Sequence, residues 1–205
     1  MTGQMTWGMA KTIALQKMFA DLGGRIGDDP ATAEDTAAMP AAANDAMALL
    51  CAVAKPLVRC VQLEKTGEGE ARFDLYELAP DLQDLIDCRL YLEEKTGSRP
   101  VWYWRLEAER WLVLPHWAEG RYTLQYNALP QRVTGETPDD WPLPLAPDAA
   151  LLVPLYMASQ LCRREDFALS ATLRNEFEAG LSRLNRGLGR AGSEVFYSES
   201  GWCRC

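Results

Sequence analysis

Apolar residues recur every three or four positions in four segments of the chain, which is typical of helices with one buried face. The sequence therefore predicts helices over residues 12–22, 41–54, 148–162 and 165–184. Gly23 provides a stop for the first helix, and Pro40 suits the first turn of the second. Pro154 predicts a kink in the third helix, because proline removes one backbone hydrogen bond. The last helix has the clearest apolar stripe, made by Leu169, Leu173, Phe177, Leu181 and Leu184.

Between residues 57 and 128 the pattern changes to short runs rich in β-branched and aromatic residues, which predicts strands. The expected strands are 57–65, 73–78, 89–94, 101–106, 111–114 and 121–128, with a helical turn over 82–88. Glu-Lys-Thr-Gly occurs twice, at 64–67 and 94–97. Each copy ends a predicted strand and is expected to form a hairpin turn, in which glycine takes a positive φ. A proline-rich, extended connector follows over 137–147.

These elements predict an α+β fold. We expect a helical bundle with a C-terminal helical hairpin, a small antiparallel β-sheet and an extended C-terminal tail. The two expected parts are a body over residues 1–186 and an arm over 187–205.

Charge is distributed unevenly along the chain. The formal net charge is -8, and residues 182–205 carry +2 while the rest of the chain carries -10. An acidic body argues against general affinity for nucleic acid, which requires a face rich in lysine and arginine. The basic segment is either a solvated tail or an arm that binds an acidic groove on a partner.

The cysteines and the apolar segments indicate a cytoplasmic protein with no membrane partner. The chain opens without a basic, then apolar, signal sequence, and Asn44, Asp45 and Asp148 interrupt its longest apolar stretches. The six cysteines are scattered, which favours reduced thiols. Cys203 and Cys205 could bind a metal or form an intermolecular disulfide, but two thiols alone are a weak signal. We expect no metal and no cofactor.

The sequence lacks the paired groups that catalysis needs, so no enzyme is expected. Its one histidine, His116, stands in a Leu-Pro-His-Trp setting typical of a turn or packing residue. The glycines at 187, 189 and 192 fit the Gly-x-Gly-x-x-Gly dinucleotide fingerprint. That motif needs a strand before it and a helix after it, whereas here a helix precedes it and the chain ends 13 residues later.

Tryptophans concentrate in the strand-rich segment and offer an alternative function. Trp102, Trp104 and Trp111 could stack a sugar in a soluble β-rich carbohydrate-binding module, or a single nucleic-acid strand. Trp102 and Trp104 would otherwise lie on one face of a strand and build core, since aromatic residues are enriched in strands.

The segment Gly120–Pro130 (GRYTLQYNALP) ends in a Tyr-x-x-x-Pro signature and lies between the strand-rich middle and the last two predicted helices. This segment and the order of the predicted elements resemble the head-to-tail connector (adaptor) proteins of tailed bacteriophages, whose last strand has that signature. The resemblance extends to Phe73-Asp-Leu75 and to Pro100-Val-Trp-Tyr-Trp104 before it. After it come segments similar to the crossing and the helical hairpin, at 131–134, 143–145, 148–160, 164–167 and 174–177.

The resemblance implies a structural virion protein located in the neck and assembled in the bacterial host cytoplasm. Such a protein forms a homo-oligomeric ring, usually a dodecamer, that docks beneath the portal protein and extends the DNA channel. DNA passes only as cargo, and the next stopper, nozzle or tail protein binds below. The helical hairpins are expected to pack side by side in the ring, through Tyr156, Arg163, Arg164, Glu165, Asp166 and Arg174.

The resemblance also makes the C-terminal segment the portal-docking arm. The residues themselves favour the same role, because three glycines discourage independent folding and exposed aromatics are suited to pockets on a partner. The arm residues are Gly187, Gly189, Arg190, Gly192, Phe196, Tyr197 and Trp202.

Overall fold

The computed structural model describes residues 4–19 and 30–191 as a mixed α+β protein. Its helices are α1 Trp7–Met18, α2 Pro30–Val53, α3 Leu75–Leu78, α4 Pro147–Ala150, α5 Val153–Leu161 and α6 Phe167–Ala191. Its strands are β1 Leu57–Lys65, β2 Ala71–Asp74, β3 Leu82–Glu94, β4 Gly97–Val101, β5 Arg105–Glu107, β6 Trp111–Leu114 and β7 Gly120–Ala128.

The chain divides into two compact units where the sequence predicted one body. The helical unit combines residues up to Lys55 with those from Arg132 onward, and the strand-rich unit is Pro56–Gln131. The strand-rich unit is thus an insertion between the second and fourth helices. Its limits lie within three residues of the predicted strand-rich segment 57–128.

Helix α1 begins earlier than the predicted residue 12, and it ends at Met18 rather than Leu22. The Thr6 hydroxyl accepts a hydrogen bond from the Met9 N–H at 3.3 Å, which satisfies one of the free donors at the helix start. The buried face of the helix consists of Trp7, Ala10 and Ala14. The buried face therefore begins five residues before the predicted start of the helix.

Helix α2 also begins earlier than predicted, at Pro30, so Pro40 lies inside the helix. The alanines on either side of Pro40 have the highest helix propensity of any residue, which offsets part of the hydrogen bond lost at proline. By length and composition, the segment Glu34–Val53 of this helix could cross a membrane, although a buried core helix passes the same test. Its buried residues include Met39, Ala43, Met47 and Leu50, which pack in the core of the helical unit.

The third predicted helix is divided at the point where its proline was expected to act. Helix α4 ends at Ala150 and α5 starts at Val153, with Pro154 in the first turn of α5. Proline is well placed there because a first-turn residue has no intrahelical partner for its N–H. A 3₁₀ turn, Cys162–Arg164, then leads to α6, which continues to Ala191 instead of ending at 184.

The strand-rich unit contains two antiparallel sheets, where a single small sheet was predicted. One sheet has the order β1-β7-β3-β4 and the other β2-β6-β5. Strand β1 pairs with β7 along its full length, from Leu57 opposite Ala128 to Lys65 opposite Gly120. The two sheets share one core, whose buried members are Leu63, Leu75, Leu90, Val101, Leu112, Leu114, Ala118, Tyr122 and Leu124.

Only one of the two Glu-Lys-Thr-Gly segments forms a hairpin. The second connects β3 to β4, and Gly97 has a φ of 140° there. The first ends β1, and Gly67 has a φ of 81°, but the next strand belongs to the other sheet. Residues 82–88 belong to strand β3, and the helical turn predicted there occurs instead over Leu75–Leu78.

Candidate functional site

The predicted docking arm begins inside a helix. Gly187, Gly189 and Arg190 belong to α6, so the backbone from 187 to 191 is helical, not extended. Each glycine costs about 1 kcal/mol in a helix relative to alanine. Gly192, Phe196, Tyr197 and Trp202, together with Cys203 and Cys205, lie outside the described residues.

Two of the six residues predicted to pack the ring contact each other within one chain. The Arg174 guanidinium lies 5.0 Å from the ring centre of Tyr156 and 5.3 Å from that of Phe177. Tyr156 and Phe177 meet edge to face at 5.1 Å, and Arg174 also pairs with Glu178 at 2.6 Å. Aromatic and cation–π contacts of this kind contribute about 0.5–1.5 kcal/mol each. The cluster therefore fastens α5 to α6.

Further contacts pair residues of α5 and α6 in opposite order along the chain. The Ser170 hydroxyl donates a hydrogen bond to the Ser159 carbonyl at 2.8 Å. Nearer the other end, a Cβ added to Gly180 would approach Leu152 Cδ2 to 2.4 Å. The absence of a side chain at 180 therefore allows close approach of the two segments.

The other four predicted ring residues form the connection between α5 and α6. We define the corner as Arg163, Arg164 and Phe167, which are all exposed. Phe167 is 74% exposed although it opens a helix with a buried apolar stripe. Neither arginine makes an ion pair within the described residues.

The acidic residues of this connection have structural roles. The Asp166 carboxylate accepts a hydrogen bond from the Leu169 N–H at 2.8 Å and so caps α6. Glu165 lies near Asp35 of α2: burial, then repulsion by Glu165 and Glu34, raises the pKa of the Asp35 carboxyl. Burial is also the main cause of the raised pKa of the Cys162 thiol. The charge of Asp35 on α2 is therefore within electrostatic range of Cys162 and Glu165.

A groove at the N-terminal end of α1 gave no signal in the sequence. Its volume is about 590 Å³, and we define it by its lining residues Thr6, Gly8, Met9, Thr12, Ile13, Asp139 and Asp140. The Gly8 and Trp7 N–H groups donate hydrogen bonds to the carbonyls of Asp139 and Trp141, at 2.9 and 2.8 Å. A Cβ at Gly8 would lie 2.8 Å from Asp139 Cβ, so glycine permits this close approach.

The groove combines apolar walls with carboxylates at its rim. Met9 is 49% exposed, and Asp139 and Asp140 are exposed. Lys11 pairs with Asp139 at 2.6 Å and neutralises one of the two carboxylates. One net negative charge therefore remains beside an accessible apolar surface.

The three tryptophans proposed for sugar stacking differ in their surroundings. The predicted strand 101–106 is interrupted at residues 102–104, where the chain passes from one sheet to the other. Trp102 is 82% exposed, whereas Trp104 packs against the core. Trp111 belongs to β6 and has the Arg110 guanidinium over its ring at 5.2 Å. Trp102 and Trp104 were predicted to share one face of a strand and to build core. Residues 102–104 are not a strand, and of the two only Trp104 packs against the core.

His116 contributes a backbone carbonyl to a buried cation. Lys65 is only 2% exposed, and its ammonium donates hydrogen bonds to the carbonyls of His116 and Gly67, both at 3.1 Å. The same loop carries Trp117, whose ring lies 4.5 Å from that of Tyr103. His116 itself is exposed. Across residues 4–19 and 30–191, no group of three or more His, Cys, Asp or Glu could hold a metal ion.

Comparison with known proteins provides no family assignment. No family model matches the chain, and no curated protein matches it in sequence.

Proposed function

We propose that this chain is a structural assembly protein of the head-to-tail connector type. It forms a homo-oligomeric ring in the neck of a virion, docks beneath the portal protein and extends the DNA channel. The next tail component binds to the opposite side of the ring. The protein acts by geometry and holds no cofactor. The resemblance in segment order and the exposed apolar surface support this function.

The observation that carries the proposal is the number of large apolar side chains exposed on both units. Six such side chains in the described parts of the chain are more than half exposed: Val58, Tyr76, Trp102, Trp117, Leu151 and Phe167. Single exposed apolar residues are ordinary, but large aromatic side chains on the surface are enriched at interfaces between proteins. In an assembly, neighbouring proteins cover such exposed apolar side chains.

In this proposal, α5 and α6 form the helical hairpin of a bundle and act as a rigid mount. The contacts of Tyr156, Phe177 and Arg174 fix the two helices to each other. The arm then continues from α6, and Phe196, Tyr197 and Trp202 enter pockets on the portal. Since α6 extends to Ala191, residues 187–191 of the predicted arm belong to that helix.

The acidic body suits a ring through which DNA moves. A channel with a surplus of carboxylates repels phosphate, so that DNA passes without being held. The charge of -10 outside residues 182–205 supplies this surplus.

Co-sedimentation with cognate portal particles tests the proposal. The full chain is expected to pellet with the portal. A variant with Phe196→Ser, Tyr197→Ser and Trp202→Ser is expected to remain in the supernatant, because it lacks the anchors. Trp102→Ser removes an aromatic from the other unit and is the matched control, which should still pellet. If the chain never pellets with the portal, or the triple variant pellets as the unmodified chain does, docking through this arm is wrong.

A carbohydrate-binding module is the second candidate, and the exposure of Trp102 favours it. Trp102 and Trp117 both present aromatic rings to solvent on the strand-rich unit. Sugar rings stack on exposed aromatic faces. Glycan-array binding that is lost in Trp102→Ala, by a chain that remains monomeric, would favour this function over the ring.

A further inference from the structure

Helix α2 has a carboxylate on its inward face at Asp35. Asp35 precedes the buried Met39 by four residues, which places the two residues on the same face of the helix. The other residues of the segment 34–38 are exposed, and only Asp35 is partly buried. Asp35 is therefore the residue through which this turn of the helix meets the rest of the protein.

The Asp35 carboxylate is poorly accommodated where it lies. Its Oδ2 atom is buried and has no hydrogen-bond partner among the described residues. A buried polar atom without a partner costs free energy, and the cost is greatest when the group is ionised. An ionised Asp35 therefore weakens the contact that it makes, and a protonated Asp35 weakens that contact less.

The charges around Asp35 add to this cost. Repulsion comes from Glu34 on α2 itself and from Glu165 on the connection between α5 and α6. The titratable and charged groups of that connection are Cys162, Arg163, Arg164, Glu165 and Asp166. Across residues 4–19 and 30–191, neither arginine nor any other cation forms an ion pair with Asp35. The charge of Asp35 is thus opposed and not offset.

Pro40 separates this turn from the firmly packed part of the helix. Proline has no N–H, so it cannot continue the hydrogen-bond ladder of α2 at its position. Beyond it, buried residues recur along the helix, among them Ala43, Met47 and Leu50. We propose that residues 34–38 form a pH-sensitive latch, which closes when Asp35 takes up a proton and loosens when Asp35 is ionised.

The direction of the pH dependence follows from the surroundings of Asp35. Burial, then repulsion by Glu165 and Glu34, raises the pKa of its carboxyl above the ordinary value of 3.8. The closed latch therefore holds the proton more tightly than the open one. Its stability is greatest below pH 3.8 and is lost as the pH rises through the raised pKa. The latch acts within one chain and does not depend on the proposed ring.

Hydrogen exchange of the full chain, read by mass spectrometry, tests the latch. Asp35→Asn keeps the shape of the side chain and removes its charge. At about pH 7.5 the amides of residues 34–38 are expected to exchange at least about threefold more slowly in Asp35→Asn than in the unmodified chain. At about pH 4.5, with labelling times scaled for the intrinsic exchange rate, this difference should shrink, because Asp35 then takes up its own proton.

Two further variants separate the latch from a general effect of charge. Asp45→Asn removes a carboxylate from an exposed position of the same helix beyond Pro40, and it should leave the exchange of residues 34–38 unchanged. Glu165→Gln removes the stronger of the two repelling charges. It should slow the exchange of the same residues, by less than Asp35→Asn does.

Equal exchange of residues 34–38 in the unmodified chain and in Asp35→Asn at about pH 7.5 would overturn the latch. A difference of the same size at both pH values would also overturn it, because a proton would not be its cause. The unmodified chain provides a test without any substitution: its exchange in this segment must slow at acid pH beyond the change in the intrinsic rate. Failure on any of these points leaves ring formation and portal binding untouched.

Discussion

The side chain of Asn44 and the backbone of Val133 exchange two hydrogen bonds. The Asn44 amide donates to the Val133 carbonyl at 2.9 Å, and its oxygen accepts from the Val133 N–H at 2.8 Å. Asn44 lies in the apolar helix α2, and Val133 is the second residue of the chain after it returns from the strand-rich unit. The pair therefore attaches the returning chain to the helical core and explains a polar residue in an apolar helix.

Asn44→Ala is expected to destabilise the helical unit by about 1–3 kcal/mol, because two polar backbone groups of a buried residue lose their partner. Urea denaturation followed by circular dichroism measures the loss. Asp45→Ala, at the exposed neighbouring position, is the matched control and should change stability by less than about 0.5 kcal/mol. Equal losses of stability from the two substitutions would show that the hydrogen bonds between Asn44 and Val133 do not stabilise the protein.

The close approach of α1 to Asp139 predicts an unusual glycine effect. Alanine is favoured over glycine in a helix by about 1 kcal/mol. Gly8→Ala should nevertheless destabilise the protein by about 1–3 kcal/mol, since its Cβ would crowd backbone and side-chain atoms of Asp139. Thermal denaturation checks this against Gly135→Ala, where no atom lies within 4 Å. A stabilising Gly8→Ala would mean that the segment at Asp139 can move away at little cost.

The buried ammonium of Lys65 joins two loops of the strand-rich unit. Lys65→Met should destabilise this unit by about 1–3 kcal/mol, because the carbonyls of Gly67 and His116 lose their donor. Guanidinium denaturation would give the free energy of unfolding. Lys95→Met, in the exposed β3–β4 turn, is the control and should have almost no effect. A neutral Lys65→Met would show that water replaces the ammonium.

Tyr126 predicts a dependence of stability on alkaline pH. Burial, followed by the hydrogen bond that its hydroxyl donates to Asp81 at 2.8 Å, raises the pKa of Tyr126 to about 12 from an ordinary value of 10. The folded protein therefore holds this proton more tightly than the unfolded chain does. Its stabilising effect is complete below pH 10 and is lost as the pH rises toward about 12.

Denaturation between pH 9 and about pH 12 measures this loss, which we expect to be about 1–2 kcal/mol for Tyr126 after solvent screening. Tyr126→Phe should flatten part of the pH dependence. The pH dependence that remains should come from Tyr122, because burial also raises the pKa of that residue. If stability depends on pH in the same way in Tyr126→Phe as in the unmodified protein, the alkaline loss of stability does not come from Tyr126.

Local patterns predicted much of the strand-rich unit. Strands β1 and β6 have the predicted limits, because a short run bounded by turn residues carries its own signal. Pairing was not predictable, since β1 lies beside β7, more than fifty residues later. The turn between β5 and β6 also gave no signal. Ala108 and Glu109 both have a positive φ there, a conformation that ordinarily selects glycine or asparagine.

Four helices were predicted and six are present in the described residues, because the third predicted helix is divided into α4 and α5 and α3 lies within a predicted strand. Thr6 caps α1 without the acidic residue that would complete a capping box, so the start of the helix was missed. The corner and the groove differ in the same way. Arg163 and Arg164 were visible as a charged connection, whereas the groove depends on Gly8 meeting Asp139, which are distant in sequence. Only tertiary structure brings such residues together.

Electron microscopy of the full chain, alone and mixed with cognate portal particles, tests whether the protein forms a ring that docks on the portal. We expect rings of uniform diameter that stack coaxially on the portal, with a continuous central channel. Particles that remain monomeric at high concentration, and portals that gain no added density, would contradict it.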